Sequence, residues 1–225
     1  IFAGDRLEPF FEDIPGQWGT IWLTAGSTNH IFRHATIKNA SVGILMDYND
    51  ETENPTLLLE QTQIHNSSTV GLWAKTAHVK AVNSIFGNAG NASFYGNIGG
   101  SYEFTHCTFS NYWNRSFRST PAVILNDYVP ISQTEDFIVP LEKAVFANCI
   151  IDGNQSVEFG VEQKGEQELS FTLDHTALCF DPSDDSIFEN PYYDFNALEY
   201  YPKLIVNKNA SFHNPTQNDF RITQE

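Results

Sequence analysis

The chain has 225 residues, with 12 Lys and Arg against 28 Asp and Glu, for a formal net charge of −16. That sign repels nucleic acid and anionic membrane surfaces, leaving neutral ligands and divalent cations as the electrostatically favoured partners. No run of ~18 apolar residues occurs, so no transmembrane segment is expected.

Residues 1–29 read as an entering segment with one strand-forming stretch, Gly19-Thr-Ile-Trp-Leu23, after the turn Pro15-Gly16. A stack of strands must cap its open ends. No amphipathic helix precedes this segment, so the chain is expected to be a piece of a longer protein.

From residue 30 to 180 a repeat emerges. Phe32-Arg-His-Ala-Thr-Ile-Lys-Asn39, Leu59-Glu-Gln-Thr-Gln-Ile-His-Asn66, Ala81-Val-Asn-Ser-Ile-Phe-Gly-Asn88, Phe104-Thr-His-Cys-Thr-Phe-Ser-Asn111 and Phe146-Ala-Asn-Cys-Ile-Ile-Asp-Gly153 align position by position. Leu173-Asp-His-Thr-Ala-Leu178 keeps the first six positions. Successive closing positions lie 27, 22, 23 and 42 residues apart, so the last interval reads as one repeat carrying an insertion of roughly 20 residues.

Each column has a physical meaning. Small then apolar residues at positions four and six are period-2 patterning, with both side chains inward on one strand. The third position is always His, Gln or Asn and marks a bend; the eighth, Asn or Gly, tolerates left-handed backbone and marks a second. A further strand then recurs: Val42-Gly-Ile-Leu45, Val70-Gly-Leu-Trp73, Ala92-Ser-Phe-Tyr95 and Ala122-Val-Ile-Leu125. Opposite charges fall at equivalent outward positions, Arg33 beside Glu60 and Lys80 beside Glu103.

The pattern predicts an all-β fold: a right-handed, single-stranded parallel β-helix, a solenoid with three short strands per coil and about six to seven coils. One domain over 1–225 is expected, with regular coils over 30–180, a loop insertion around 112–142, and an irregular segment over 181–225 that runs along or caps the far end.

The chain resembles the right-handed β-helix surface proteins, often lipoproteins, of Bacteroidetes-type bacteria. Ala3-Gly-Asp-Arg-Leu7 followed by Pro15-Gly-Gln-Trp-Gly19, the Asn-punctuated repeats, and Asn218-Asp-Phe-Arg-Ile222 carry the resemblance. It implies an extracytoplasmic setting, at the cell surface or secreted, and a fold similar to the pectin-lyase-like superfamily. It implies no reaction, because that superfamily spans lyases, hydrolases, adhesins and tail spikes.

Glycoside hydrolysis needs two carboxylates ~5–9.5 Å apart, and the outward columns supply no such pair. The polygalacturonase-type Gly-His-Gly and Arg-x-Lys motifs are absent, and Asp184-Asp185 is the sole Asp pair. His34, His106 and His175 share a column but stand coils apart, too far to share a metal. Cys107 and Cys149 fall in one inward column and read as small apolar filler.

The outward column Leu45, Trp73, Tyr95 and Leu125 is the most suggestive feature, since an apolar stripe should be covered or bind something. The insertion, with Trp113 and Phe117, could fold over it; otherwise Trp73, Tyr95 and Trp113 are the candidate ligand-binding residues. Asp47, Asp50, Glu51 and Glu53 form a candidate Ca²⁺ site without the spacing of a known loop. No other cofactor is expected. The expected function is a non-catalytic surface module for glycan or protein binding; the alternatives are a polysaccharide-active enzyme, lyase or glycoside hydrolase, with loop-borne groups, and a structural spacer or stalk.

Overall fold

Handedness of the backbone sets the corners. In the computed structural model, which describes every residue except Leu7, 50–53, Asp184, Asn209, Gln224 and Glu225, all six third-position residues are left-handed. His34, Gln61, Asn83, His106, Asn148 and His175 have φ between 49° and 54°. Asn39, Asn66 and Asn88 are left-handed at the second corner, whereas Asn111 and Gly153, at the same repeat position, are not. A third corner is carried by Tyr48, Thr76 and Ile98, where φ is 53°, 44° and 59°. Non-glycine residues enter this region at a cost, so each corner must be held by its neighbours. Thr76 is one example: its hydroxyl donates to the Ile98 carbonyl at 2.6 Å.

Between corners the strands pair in parallel, each with a segment 20-odd to about 40 residues on. Ile21–Leu23, Val42–Asn49, the first half of Val70–Val82, Phe94–Asn97, Val123–Asn126 and Phe159–Glu162 form one series. His30–Arg33, Leu57–Glu60, the second half of Val70–Val82, Gly100–Thr105, Leu141–Ala147 and Phe171–Leu178 form another. Thr36–Lys38, Gln63–Ser67, Ile85–Ala89, Thr108–Asn111 and Ile150–Gly153 form a third, which ends on Phe171–Leu178 and Lys203–Val206.

These pairings correct the expected fold. The strands join into one 17-stranded, mostly parallel sheet accompanied by two small antiparallel sheets. They do not make a triangular solenoid of three separate short strands per coil, and the assignment to the pectin-lyase-like β-helix surface proteins falls with it. The physical reason lies at the third corner. Val70–Val82 runs 13 residues through Thr76 without leaving the hydrogen-bonded ladder, where the repeat predicted two separate short strands.

Inward side chains make a continuous core. Phe86 stacks on Phe109 at 4.8 Å between ring centroids, and Phe104 on Phe146 at 5.1 Å. Each such fully buried ring contributes about 1.5–3 kcal/mol. Small fourth-position residues serve as short donors: Thr62, Cys107, Cys149 and Thr176 reach the carbonyls of Phe32, Ala81, Phe104 and Phe146. Both buried cysteines are free thiols. The charge pairing of Arg33 with Glu60 and of Lys80 with Glu103 is present across neighbouring strands.

The 112–142 insertion returns Val123–Asn126 to the main sheet, then makes an antiparallel hairpin of Tyr128–Pro130 with Asp136–Ile138. Beyond residue 181 the chain does two things. Tyr192, Tyr193 and Tyr201 pack on Phe171 and Phe180 at the far end. A second hairpin, Phe212–Asn214 with Asp219–Ile222, then folds back onto the middle of the sheet, where Asn88 donates to the Pro215 carbonyl and to Asn218 Oδ1.

Candidate functional site

Register defines the outward column on the first series of strands. Trp22 aligns with Leu45, Leu45 with Trp73, Trp73 with Tyr95, and Tyr95 with Ile124. Two expectations change here. Leu125 is fully buried and Ile124 takes its place outside, because Ala122-Val-Ile-Leu125 is an unbroken apolar run with no period-2 signal. The column also begins one strand earlier, at Trp22, which is 59% exposed. Alternation in Ile21-Trp22-Leu23 was the available signal for it.

Trp73 and Tyr95, both half-buried, stack nearly parallel with centroids 5.8 Å apart and planes 13° apart. The Lys75 ammonium lies 4.7 Å from the centre of the Trp73 ring. Offset stacking and a cation over the ring face each contribute about 0.5–1.5 kcal/mol, so the pair is a rigid unit.

Two residues further along each strand, a polar column accompanies the aromatic one. Asp47, Lys75 and Asn97 are neighbours in register, and Asn126 lies opposite Glu162. Asp47 accepts the Trp22 indole N–H at 2.6 Å and pairs with Lys75 at 3.2 Å. The Trp73 indole N–H donates to Asn97 Oδ1 at 3.3 Å. The Asn97 amide donates to Asn126 Oδ1 at 2.8 Å, and the Asn126 amide to the Tyr95 hydroxyl at 3.0 Å. Burial raises the Tyr95 pKa, with the Asn126 hydrogen bond pulling the other way, so the hydroxyl stays protonated at neutral pH.

The polar column leads toward the far end of the sheet. The Tyr128 hydroxyl donates to Glu162 Oε2 at 2.8 Å, and its pKa is pushed up to about 12 by burial and that carboxylate. Lys164 sits 4.2 Å from the centre of the Tyr128 ring and pairs with Asp136. Tyr128, Glu162, Lys164, Asn190 and Tyr192 line a cavity of about 380 Å³. The surface therefore offers ring edges and partial faces, amides, and paired charges of both signs.

The remaining candidates fall elsewhere. Trp113 is buried away from the column, its indole donating to Ser116 Oγ at 2.8 Å, while Phe117 is 90% exposed. Neither closes over the stripe. Of the candidate Ca²⁺ residues, Asp47 is engaged by Trp22 and Lys75, and Asp50, Glu51 and Glu53 lie outside the described residues. Among the described residues no group of three or more His, Cys, Asp or Glu side chains could hold a metal ion, and no helix is long and apolar enough to cross a membrane, which leaves β-barrels unaddressed.

Repeat columns did not point to a second concave site. Tyr112, Asp152, Cys179, Asp181, Asn207 and Lys208 line a cavity of about 300 Å³. The Tyr112 hydroxyl donates to Asp152 Oδ2 at 3.1 Å, and burial raises the pKa of the Asp152 carboxyl.

Comparison with known proteins returns nothing: no family model, no curated protein and no solved structure matches this chain.

Proposed function

We propose that the chain is a non-catalytic module that binds an extended glycan along the Trp22–Leu45–Trp73–Tyr95 column. The observation that carries this reading is the pairing of a continuous aromatic and aliphatic column with a parallel column of amides and ion-paired charges. Sugars present apolar C–H faces beside hydroxyl edges, and recognising both needs apolar rings next to fixed polar groups. Asp47 with Lys75, and Asp136 with Lys164, neutralise each other locally, which favours an uncharged chain over an acidic one near so anionic a protein. This reading sets the protein in an extracytoplasmic place, at the cell surface or secreted, where polysaccharides are met.

A second reading, a polysaccharide-active enzyme with loop-borne groups, is favoured by one observation. Asp152 has a carboxyl pKa raised by burial, and it stands with Tyr112 and Asp181 around one cavity. A raised carboxyl pKa suits a general acid. One screen tests both readings: plant, host and microbial polysaccharides, scored for binding and for new chain ends. Binding without new ends supports the module. New ends lost in Asp152→Asn would establish the enzyme, and silence across the panel would favour a protein partner or a spacer.

A further inference from the structure

The face beneath the C-terminal hairpin is built unlike the rest of the surface. Lys38, His65, Gly87, Ser110 and Asp152 follow one another in register at outward positions. Outward side chains on a solvated face should be wet, yet His65 and Ser110 are buried. What covers them near Gly87 is Phe220: a Cβ at position 87 would collide with the Phe220 ring and would sit 3.5 Å from His65 Cβ. Gly87 is thus a notch into which the hairpin seats its aromatic ring next to the base of the His65 side chain.

The seat carries a built-in weakness. His65 Nδ1 and Ser110 Oγ have no hydrogen-bond partner among the described residues. Among the described residues the hairpin strands pair with each other and with no other strand, and the hairpin is held by Phe220, by the two Asn88 hydrogen bonds, and by Phe212 at 6.4 Å from Tyr112. We propose that residues 212–222 form a strap seated on Gly87, and that protonation of His65 beneath it releases the strap while leaving the main sheet intact.

The charges facing His65 fit this. From the neighbouring strand comes Lys38, from the opening segment Asp13, which Lys38 meets at 3.6 Å; the Gly87 strand adds no charge at that rung. The strap contributes the Phe220 ring, while its own Asp219 is engaged by Arg221 and by His213. Burial first, and Lys38 second, hold the His65 pKa down to about 4 when the strap is seated. A free imidazole titrates near ~6.5, so the seated state is favoured above that pH and loses ground as pH falls toward 4. Asp152 acts in the opposite direction, because its raised pKa makes the seated face take up a proton above the ordinary carboxylate range. His65 therefore acts between pH 4 and 6.5, and linkage through it gives a release on the order of twenty-fold between neutral pH and pH 5.

Hydrogen–deuterium exchange on the intact protein, corrected for intrinsic rate, tests this. The expected result is an approximately twenty-fold loss of protection over 212–222 between pH 7 and pH 5, with 104–109 unchanged. His65→Gln should flatten that dependence, and Phe220→Ala should leave 212–222 unprotected at both pH values. Strap protection that ignores pH in the wild-type protein overturns the proposal. So does a loss shared by 104–109, or a pH step that persists in His65→Gln.

Discussion

Arg118→Met tests what holds the far half of the site. Arg118 and Glu158 are buried and meet through two contacts, Nη2 to Oε1 at 2.7 Å and Nη1 to Oε2 at 2.9 Å. Arg118 also donates to the carbonyls of Asn111 and Thr120 and to Asn154 Oδ1, while Glu158 accepts from the backbone N–H groups of Ala122 and Gln155. The pair thus clamps the start of the strand carrying Ile124 and Asn126. Methionine keeps the stem and leaves Glu158 buried with no counter-ion, a change that costs about 3–5 kcal/mol. With a urea slope of about 3 kcal/mol/M for a chain this long, the unfolding midpoint should fall by roughly 1–2 M at pH 7. Burial already raises the Glu158 pKa against the pull of Arg118. Without the guanidinium it rises further, so the deficit present at neutral pH should shrink as pH falls toward the unfolded carboxyl pKa of ~4.3. A midpoint within 0.3 M of wild type (about 1 kcal/mol at that slope) would refute the clamp. A deficit that does not narrow on acidification would refute the buried-charge explanation.

Two further outcomes follow from the corners and the thiols. Asn83 is exposed with φ of 51°, so Asn83→Ala should cost about 1 kcal/mol in urea unfolding and Asn83→Gly almost nothing; equal costs would mean that handedness does not set that corner. With an aromatic disulfide reagent at pH 8, native protein should show one slowly reacting thiol. That thiol is Cys179, half-buried and pushed up to about 11 by burial and nearby carboxylates. Cys107 and Cys149 should react only after unfolding, and rapid labelling of two or more native thiols would contradict their placement in the core.

Legibility from the sequence followed the physics of each signal. Alternation and corner residues are local, so the repeat frame, the His/Asn/Gln corner, the Asn corner of the first three repeats and the Arg33–Glu60 and Lys80–Glu103 pairing could be read directly. Tyr48, Thr76 and Ile98 share no residue type that favours left-handed backbone, so the third corner, and with it the fusion of strands into one sheet, left no trace. The triangular solenoid was overdrawn for that reason. Trp73 and Tyr95 were visible as an outward pair. Their neighbours were not: Ile124 sits in a uniformly apolar run, and Asn97, Asn126 and Tyr128 reach the site through contacts across 24 to 34 residues that no spacing encodes. Trp113 was misplaced because a loop-borne aromatic carries no periodicity to say where it lands. Phe220 on Gly87 is likewise a contact across 133 positions of chain, silent in any local window.

Affinity electrophoresis of wild type and Trp22→Ala, in gels containing the polysaccharide that binds, tests the central claim most directly. Trp22 is the exposed end of the column, so its removal leaves the core intact. The account predicts at least a tenfold weaker retardation with an unchanged urea midpoint. Retardation equal to wild type in Trp22→Ala, and again in Trp73→Ala, would contradict the column as the binding surface.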